Sequence, residues 1–128
     1  MRFLLDTHAF LWWLIDDPKL PENIRDLLAD PANEIYVSAA SAWEIATKHR
    51  KGKLPTGEVV LPDFRGVVLD NGFDELAITS AHMVTSAMLP GTHNDPFDRI
   101  LAAQAIIENM ALITIDSQIE TLGVLTRW

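Results

Sequence analysis

Four acidic residues, Asp6, Glu44, Asp98 and Asp116, stand far apart in the chain, yet each has a position from which its carboxylate can reach a shared site. Asp6 and Asp116 each close a short apolar run, RFLL and ALITI respectively. Glu44 lies inside the helical segment ASAWEIATKHRKG, and Asp98 near the head of PFDRILAAQAIIENM. Carboxylates brought within a few ångströms of one another repel, raise each other's pKa and destabilise a fold unless a cation offsets them. An all-oxygen ligand set favours Mg²⁺ or Mn²⁺ over zinc. Such an ion lowers the pKa of bound water, orients it for in-line attack and stabilises charge developing at phosphorus and the leaving oxygen. The chemistry open to such a site is metal-assisted hydrolysis at phosphorus. Each acid also has a plainer reading, because a carboxylate at a strand end commonly caps the helix that follows. Asp95 is placed as such a cap with Pro96 at the first helical position, and Asp98, third in the helix, could complete a capping-box-like arrangement. Capping accounts for neither Glu44 nor Asp116; convergence on a cation accounts for all four.

The elements that must position these groups follow from hydrophobic periodicity. RFLL reads as a buried strand and HAFLWWLI as a helix after a turn. Pro18 and Pro21 break that pattern, and PENIRDLLAD forms a second helix. EIYVSA is the next strand, followed by the helix carrying Glu44, with Gly52 placed to end it. KLPTGEVVLP reads as a loop and DFRGVVLDNG as a short helix. FDELAI is a strand, TSAHMVTSAMLP a helix, GTHNDP a loop, and PFDRILAAQAIIENM a helix apolar enough all round to be buried. ALITID is a strand with an acidic end, and the remainder supplies a helical turn and an edge strand at VLTRW. This alternation predicts an α/β fold with right-handed crossovers and a parallel sheet covered on both faces. In such sheets ligands bind at the carboxyl ends of the strands, where Asp6 and Asp116 fall.

A chain of 128 residues, nearly half of them apolar, reads as one domain, 1–128, with a real core. Its net charge of −8 opposes unaided contact with nucleic acid, since non-specific binding rests on Lys and Arg displacing counterions, and bound cations would reverse this locally. The absence of cysteine excludes disulfides, thiolate zinc sites and a Cys nucleophile. The opening MRFLLDTHAFLWWLI is interrupted by Asp6 and His8 and lacks a small-residue cleavage site, so it reads as folded protein. No apolar run is long enough to cross a bilayer, so the expectation is a soluble, cytoplasmic domain without membrane contact.

Four segments in order, LLDTHAFLWWL, SAASAWEI, HNDPFDRILAAQA and LITID, resemble the PIN-domain family, specifically VapC-type toxins of bacterial toxin–antitoxin pairs. The resemblance covers nearly the whole chain. It implies a Rossmann-like sheet of about five parallel strands, a divalent-metal site and endonucleolytic cleavage of RNA. It carries the metal and catalytic roles to Asp6, Glu44, Asp98 and Asp116, with Thr7 and Thr114 in support and Asp95 as cap or outer ligand. It also implies a homodimer and an antitoxin whose tail covers the active-site groove. Exposed apolar residues around Trp12 and Trp13 are the expected dimer surface.

Other residues carry less. Lys48, His49, Arg50, Lys51 and Lys53 form the basic cluster, suited either to RNA phosphates or to complementing a helix dipole. His93 is a candidate acid or base, though a loop histidine is more often incidental. Arg99 could pair with a phosphate or an acid. Trp12, Trp13 and Trp43 read as core or interface rather than as base-stacking platforms. Competing functions are a DNA-directed flap-type nuclease, for which the chain has little room, and a non-catalytic receiver-like or protein-binding domain. A receiver would want lysine where Asp116 ends its strand. A haloacid-dehalogenase-type phosphatase would want aspartate where His8 stands.

Overall fold

The computed structural model describes residues 1–128. Five strands, β1 (Arg2–Leu5), β2 (Glu34–Ser38), β3 (Asp74–Leu76), β4 (Ala111–Ile113) and β5 (Thr126–Arg127), form one sheet in the order β3-β2-β1-β4-β5, with every neighbouring pair parallel. Parallel strands need crossovers, and helices supply them: α1 (Thr7–Leu14), α2 (Glu22–Ala29), α3 (Ala39–Arg50), α4 (Gly57–Val60), α5 (Phe64–Asp70), α6 (Ser80–Met88) and α7 (Pro96–Ile107). The α/β architecture expected from the alternation of apolar runs is the one found.

Because side chains alternate across a strand, the run Phe3-Leu4-Leu5 feeds two cores. Phe3 and Leu5 face a layer built with Phe10, Ile24, Leu28, Ile45 and Val68 from α1, α2, α3 and α5. Leu4 and Leu112 face the other, where Leu101, Ala102 and Ala105 of α7 meet Ile119 and Leu122. Both faces of β1 are buried, which is why its sequence is a continuous apolar run rather than an alternation.

Strand order reverses between β1 and β4. β1 leads outward through β2 to β3, whereas β4 and β5 lie on its other side. The backbones diverge beyond these two strands and leave a crevice at their carboxyl ends.

Three expectations need correction. The stretch 53–62, read as a loop, contains the α4 turn and the start of a 3₁₀ turn at Leu61–Asp63. Gly57 makes this compact, since a Cβ there would lie 2.9 Å from the His49 side chain. Helix α7 is buried only from Leu101 to Ala105; Ile106 and Ile107 at its end reach solvent. Trp12 and Trp13 pack against the first core, with Trp12 on Trp128 and Trp13 on Phe73, so they are not the exposed apolar surface. No helix is long and apolar enough to cross a membrane.

Candidate active site

Asp6 follows β1 directly, and its backbone N–H bonds to the Ile113 carbonyl of β4 at 3.0 Å, fixing it at the switch point. Its Oδ1 accepts the Ala9 N–H at 2.7 Å, so Asp6 is the N-cap of α1. Asp116 lies beyond β4, and its Oδ1 accepts from the Gln118 N–H at 2.9 Å, capping the 3₁₀ turn Ser117–Leu122. The capping reading therefore holds for both strand-end acids, including Asp116. It does not compete with ligation, because each cap bond occupies one carboxylate oxygen and leaves the second.

Helix α3 starts where β2 ends, with Ser38 as its N-cap. Ser38 also donates its hydroxyl to Gln104 Oε1 of α7 at 2.6 Å, and Thr7 bonds Ser41 at 2.9 Å. These buried bonds join α3 to α7 and to α1, and so set Glu44 relative to Asp98 and Asp6. Glu44 projects one and a half turns into α3, where its Oε2 accepts from Lys48 Nζ at 2.9 Å.

Asp95 caps α7 through the Phe97 and Asp98 N–H groups, with Pro96 at the first helical position, as its sequence context predicts. Asp98 does not close a capping box. Its Oδ2 instead accepts from His93 Nε2 at 2.7 Å. His93, read from the sequence as an incidental loop histidine, is thus part of the cluster, and one ligand atom each from His93, Asp98 and Asp116 lie within 4.8 Å of one another. Arg99 forms no ion pair with an acid: it donates to the carbonyls of Ser86, Leu89 and His93, tying the end of α6 and the 89–95 loop to α7. His93 and Asp98 are only five residues apart in HNDPFDR, but the irregular loop between α6 and α7 has no periodicity from which the direction of the His93 side chain could be read.

Asp6, Glu44, Asp98, Asp116 and Asp95 all line one cavity of about 200 Å³, together with Thr7, His8, Lys48, Leu101 and Ile115. Burial pushes the Asp6 carboxyl above its ordinary range, against the lowering effect of hydrogen bonds from Thr114 and the Ala9 N–H. Asp98 is likewise raised, first by burial, with the His93 bond opposing and the Asp95 and Asp116 charges adding. His93 is raised chiefly by its bond to Asp98. Thr114 is buried behind the cavity and accepts from the Asp116 N–H at 3.1 Å, a supporting position. The donor set suits a hard divalent cation: it is predominantly carboxylate oxygen, crowded and partly desolvated, the condition a cation relieves.

The remaining sequence candidates separate. Of the basic cluster, Lys48 enters the cavity, His49 holds the Leu54 carbonyl at 3.1 Å, and Arg50, Lys51 and Lys53 are exposed beyond it. Trp43 is 66% exposed and leans on Phe97 with ring centroids 5.2 Å apart, so it is not core.

A family model described as PIN domain matches residues 3–125. The chain is 27% identical over 119 residues to ribonuclease VapC22 of Mycobacterium tuberculosis, covering 92% of this chain and 89% of that protein. Among solved structures it is similar to VapBC2 from Rickettsia felis bound to a DNA fragment from its promoter, with a TM-score of 0.70, 18% identity, and 99% and 98% of the two chains covered. It is also similar to FitAcB from Neisseria gonorrhoeae, with a TM-score of 0.68, 19% identity, and 97% and 95% covered.

Proposed function

Given that this chain belongs to the PIN-domain family, we propose that it is a Mg²⁺- or Mn²⁺-dependent endoribonuclease, acting in the cytoplasm as the toxin of a toxin–antitoxin pair. The observation that carries this reading is the gathering of Asp6, Glu44, Asp98 and Asp116 into one cavity at the sheet's switch point. The similarity to a protein named ribonuclease over 89% of its length supports RNA as substrate.

Asp6, Glu44, Asp98 and Asp116 would hold the metal, with Asp95 and His93 behind them. A bound divalent cation supplies an acidified water and neutralises charge at the phosphate undergoing attack. The chain's own residues keep the carboxylates ready. The Ala9 N–H orients Asp6, the Gln118 N–H orients Asp116, and His93 orients Asp98 while leaving its other oxygen toward the cavity. Leu101 and Ile115 form the apolar part of the wall, limiting the water that competes for these oxygens. The test is cleavage of total RNA with and without chelator: activity should need Mg²⁺ or Mn²⁺, and undiminished cutting in excess EDTA by a clean preparation refutes the mechanism.

Similarity to the VapBC and FitAcB structures supports an antitoxin partner. A homodimer belongs to the same reading, but its surface moves from Trp12 and Trp13 to α6, where Val84 and Met88 are 64% and 78% exposed beside Met83. A cluster of apolar side chains on one solvent-facing helix marks an interface.

A further inference from the structure

Lys48 is the one lysine or arginine lining the acidic cavity. Its ammonium makes a single bond, 2.9 Å to Glu44 Oε2, one helical turn back along α3. The pair is unequal in its surroundings. Glu44's side chain is 12% exposed while that of Lys48 is 39% exposed, so the carboxylate lies inside and the ammonium at the mouth. An ammonium has three donors, and only one is engaged here. The lysine's flexible four-carbon stem lets its head move several ångströms without moving the helix.

We propose that Lys48 is an exchangeable counter-ion: it neutralises Glu44 in the metal-free enzyme, yields that carboxylate to the divalent cation, and then holds a phosphate oxygen of the RNA strand at the mouth of the cavity. The proposal rests on the reading above for Glu44 as a metal ligand and for RNA as the substrate, and on the Lys48–Glu44 geometry for the exchange itself. A net acidic protein gains from such an arrangement, because the same charge that lowers carboxylate repulsion before loading becomes a phosphate contact after it. No covalent step is involved; one ion pair is replaced by two.

A fixed tether makes the opposite prediction about metal. If Lys48 only held Glu44 in its ligating pose, removing it would weaken metal binding. Under exchange, removing a competing cation tightens it.

The experiment compares the full-length wild-type protein with Lys48→Met, which keeps the stem and removes the charge, and Lys48→Arg, which keeps the charge. Mn²⁺ affinity, measured by calorimetry without RNA, should tighten about 3- to 10-fold in Lys48→Met, the order expected for removing one partly solvated charge. Affinity for a single-stranded RNA oligonucleotide of mixed sequence, measured with Ca²⁺ in place of Mg²⁺, should weaken in the same variant. Its dependence on log[salt] should become shallower by about 0.7, one phosphate contact on a single strand. Lys48→Arg should restore RNA affinity and its salt slope. Unchanged or weaker Mn²⁺ binding in Lys48→Met overturns the exchange, and so does an unchanged RNA affinity and salt slope. Failure of the wild type to cut any RNA while the Mn²⁺ result stands would instead overturn the ribonuclease reading, and with it the phosphate half of the proposal.

Discussion

Asp95 and Asp98 are three residues apart and share a cavity, yet their bonds differ. Asp95 spends its Oδ1 on two backbone N–H groups of α7, whereas Asp98 Oδ2 is held by His93 and its other oxygen is committed to no N–H. Asn caps a helix about as well as Asp but is a poorer ligand for Mg²⁺. Asp98→Asn should therefore abolish detectable RNA cleavage with little change in metal-free melting, and Asp95→Asn should leave measurable activity. Asp95→Ala, which removes the cap, should cost about 0.5–2 kcal/mol of stability; full activity in Asp98→Asn would sink the four-acid assignment. A second expectation concerns pH. Asp6, Asp98 and His93 all have raised pKa values in the folded protein. The folded state thus binds protons more tightly than the unfolded one, and stability from each group is full below its unfolded pKa and lost as pH rises through its folded value. The three signs agree. Melting in EDTA should rise as pH falls, first in the range above the ordinary histidine pKa of about 6.5, from His93, and then in the range above the ordinary aspartate pKa of about 3.9, from the two carboxyls. Asp98→Asn should flatten this rise, and a melting temperature that falls over the same interval would contradict the raised pKa values of these three groups.

At the scale of elements, the site depends on how α7 is joined to what precedes it. The loop 89–95 contains Gly91 and Pro90 and lacks strand or helix pairing, so nothing in its own backbone fixes His93. Arg99 does so from the first turns of α7, through the Ser86, Leu89 and His93 carbonyls. Arg99→Met keeps much of the stem's packing but strands those acceptors, and hydrogen bonds to a charged group contribute about 1.5–3 kcal/mol. A loss of that order in urea melting is expected, with cleavage reduced further than the stability change explains, because His93 no longer holds Asp98. If Arg99→Met melts and cleaves as the wild type does, the loop is fixed by something else. Ser38 and Gln104 act similarly at the other junction, between α3 and α7.

For the whole molecule, with a net charge of −8 and five acids around one cavity, the proposed metal binding would be a folding term as well as a catalytic one. A ligand that binds only the native state stabilises it by RT ln(1 + [L]/Kd), about 2.7 kcal/mol at a hundredfold excess over Kd. Melting temperature should climb with Mg²⁺ or Mn²⁺ in the wild type and much less in Asp6→Asn. Equal stabilisation of both proteins would place the ion elsewhere. Assembly gives a further test. Val84→Glu with Met88→Glu on α6 should turn a dimer into a monomer seen by light scattering, without loss of melting temperature, since neither side chain is buried. Persistence of the dimer would move the interface to another face.

From sequence alone, the order of strands and helices, the α/β class and the strand-end positions of Asp6 and Asp116 were legible, because each is written locally. Apolar runs such as RFLL and ALITI have the length and uniformity of strands buried on both faces, and an acid just beyond one must lie at the sheet's carboxyl edge. The capping role of Asp95 was legible for the same reason, since Asp-Pro at a helix start acts within three residues. What only the tertiary structure decided was every contact between elements distant in the chain. The β1–β4 neighbourhood that brings Asp6 beside Asp116, the Ser38–Gln104 and Thr7–Ser41 bonds, and the exposure of α6 rather than Trp12 and Trp13 all depend on which faces meet after collapse. His93 on Asp98 and Arg99 on the 89–95 loop span only a few residues, but they too escaped the sequence. An irregular loop has no period from which a side chain's direction can be read, and its path is set by the helices it joins.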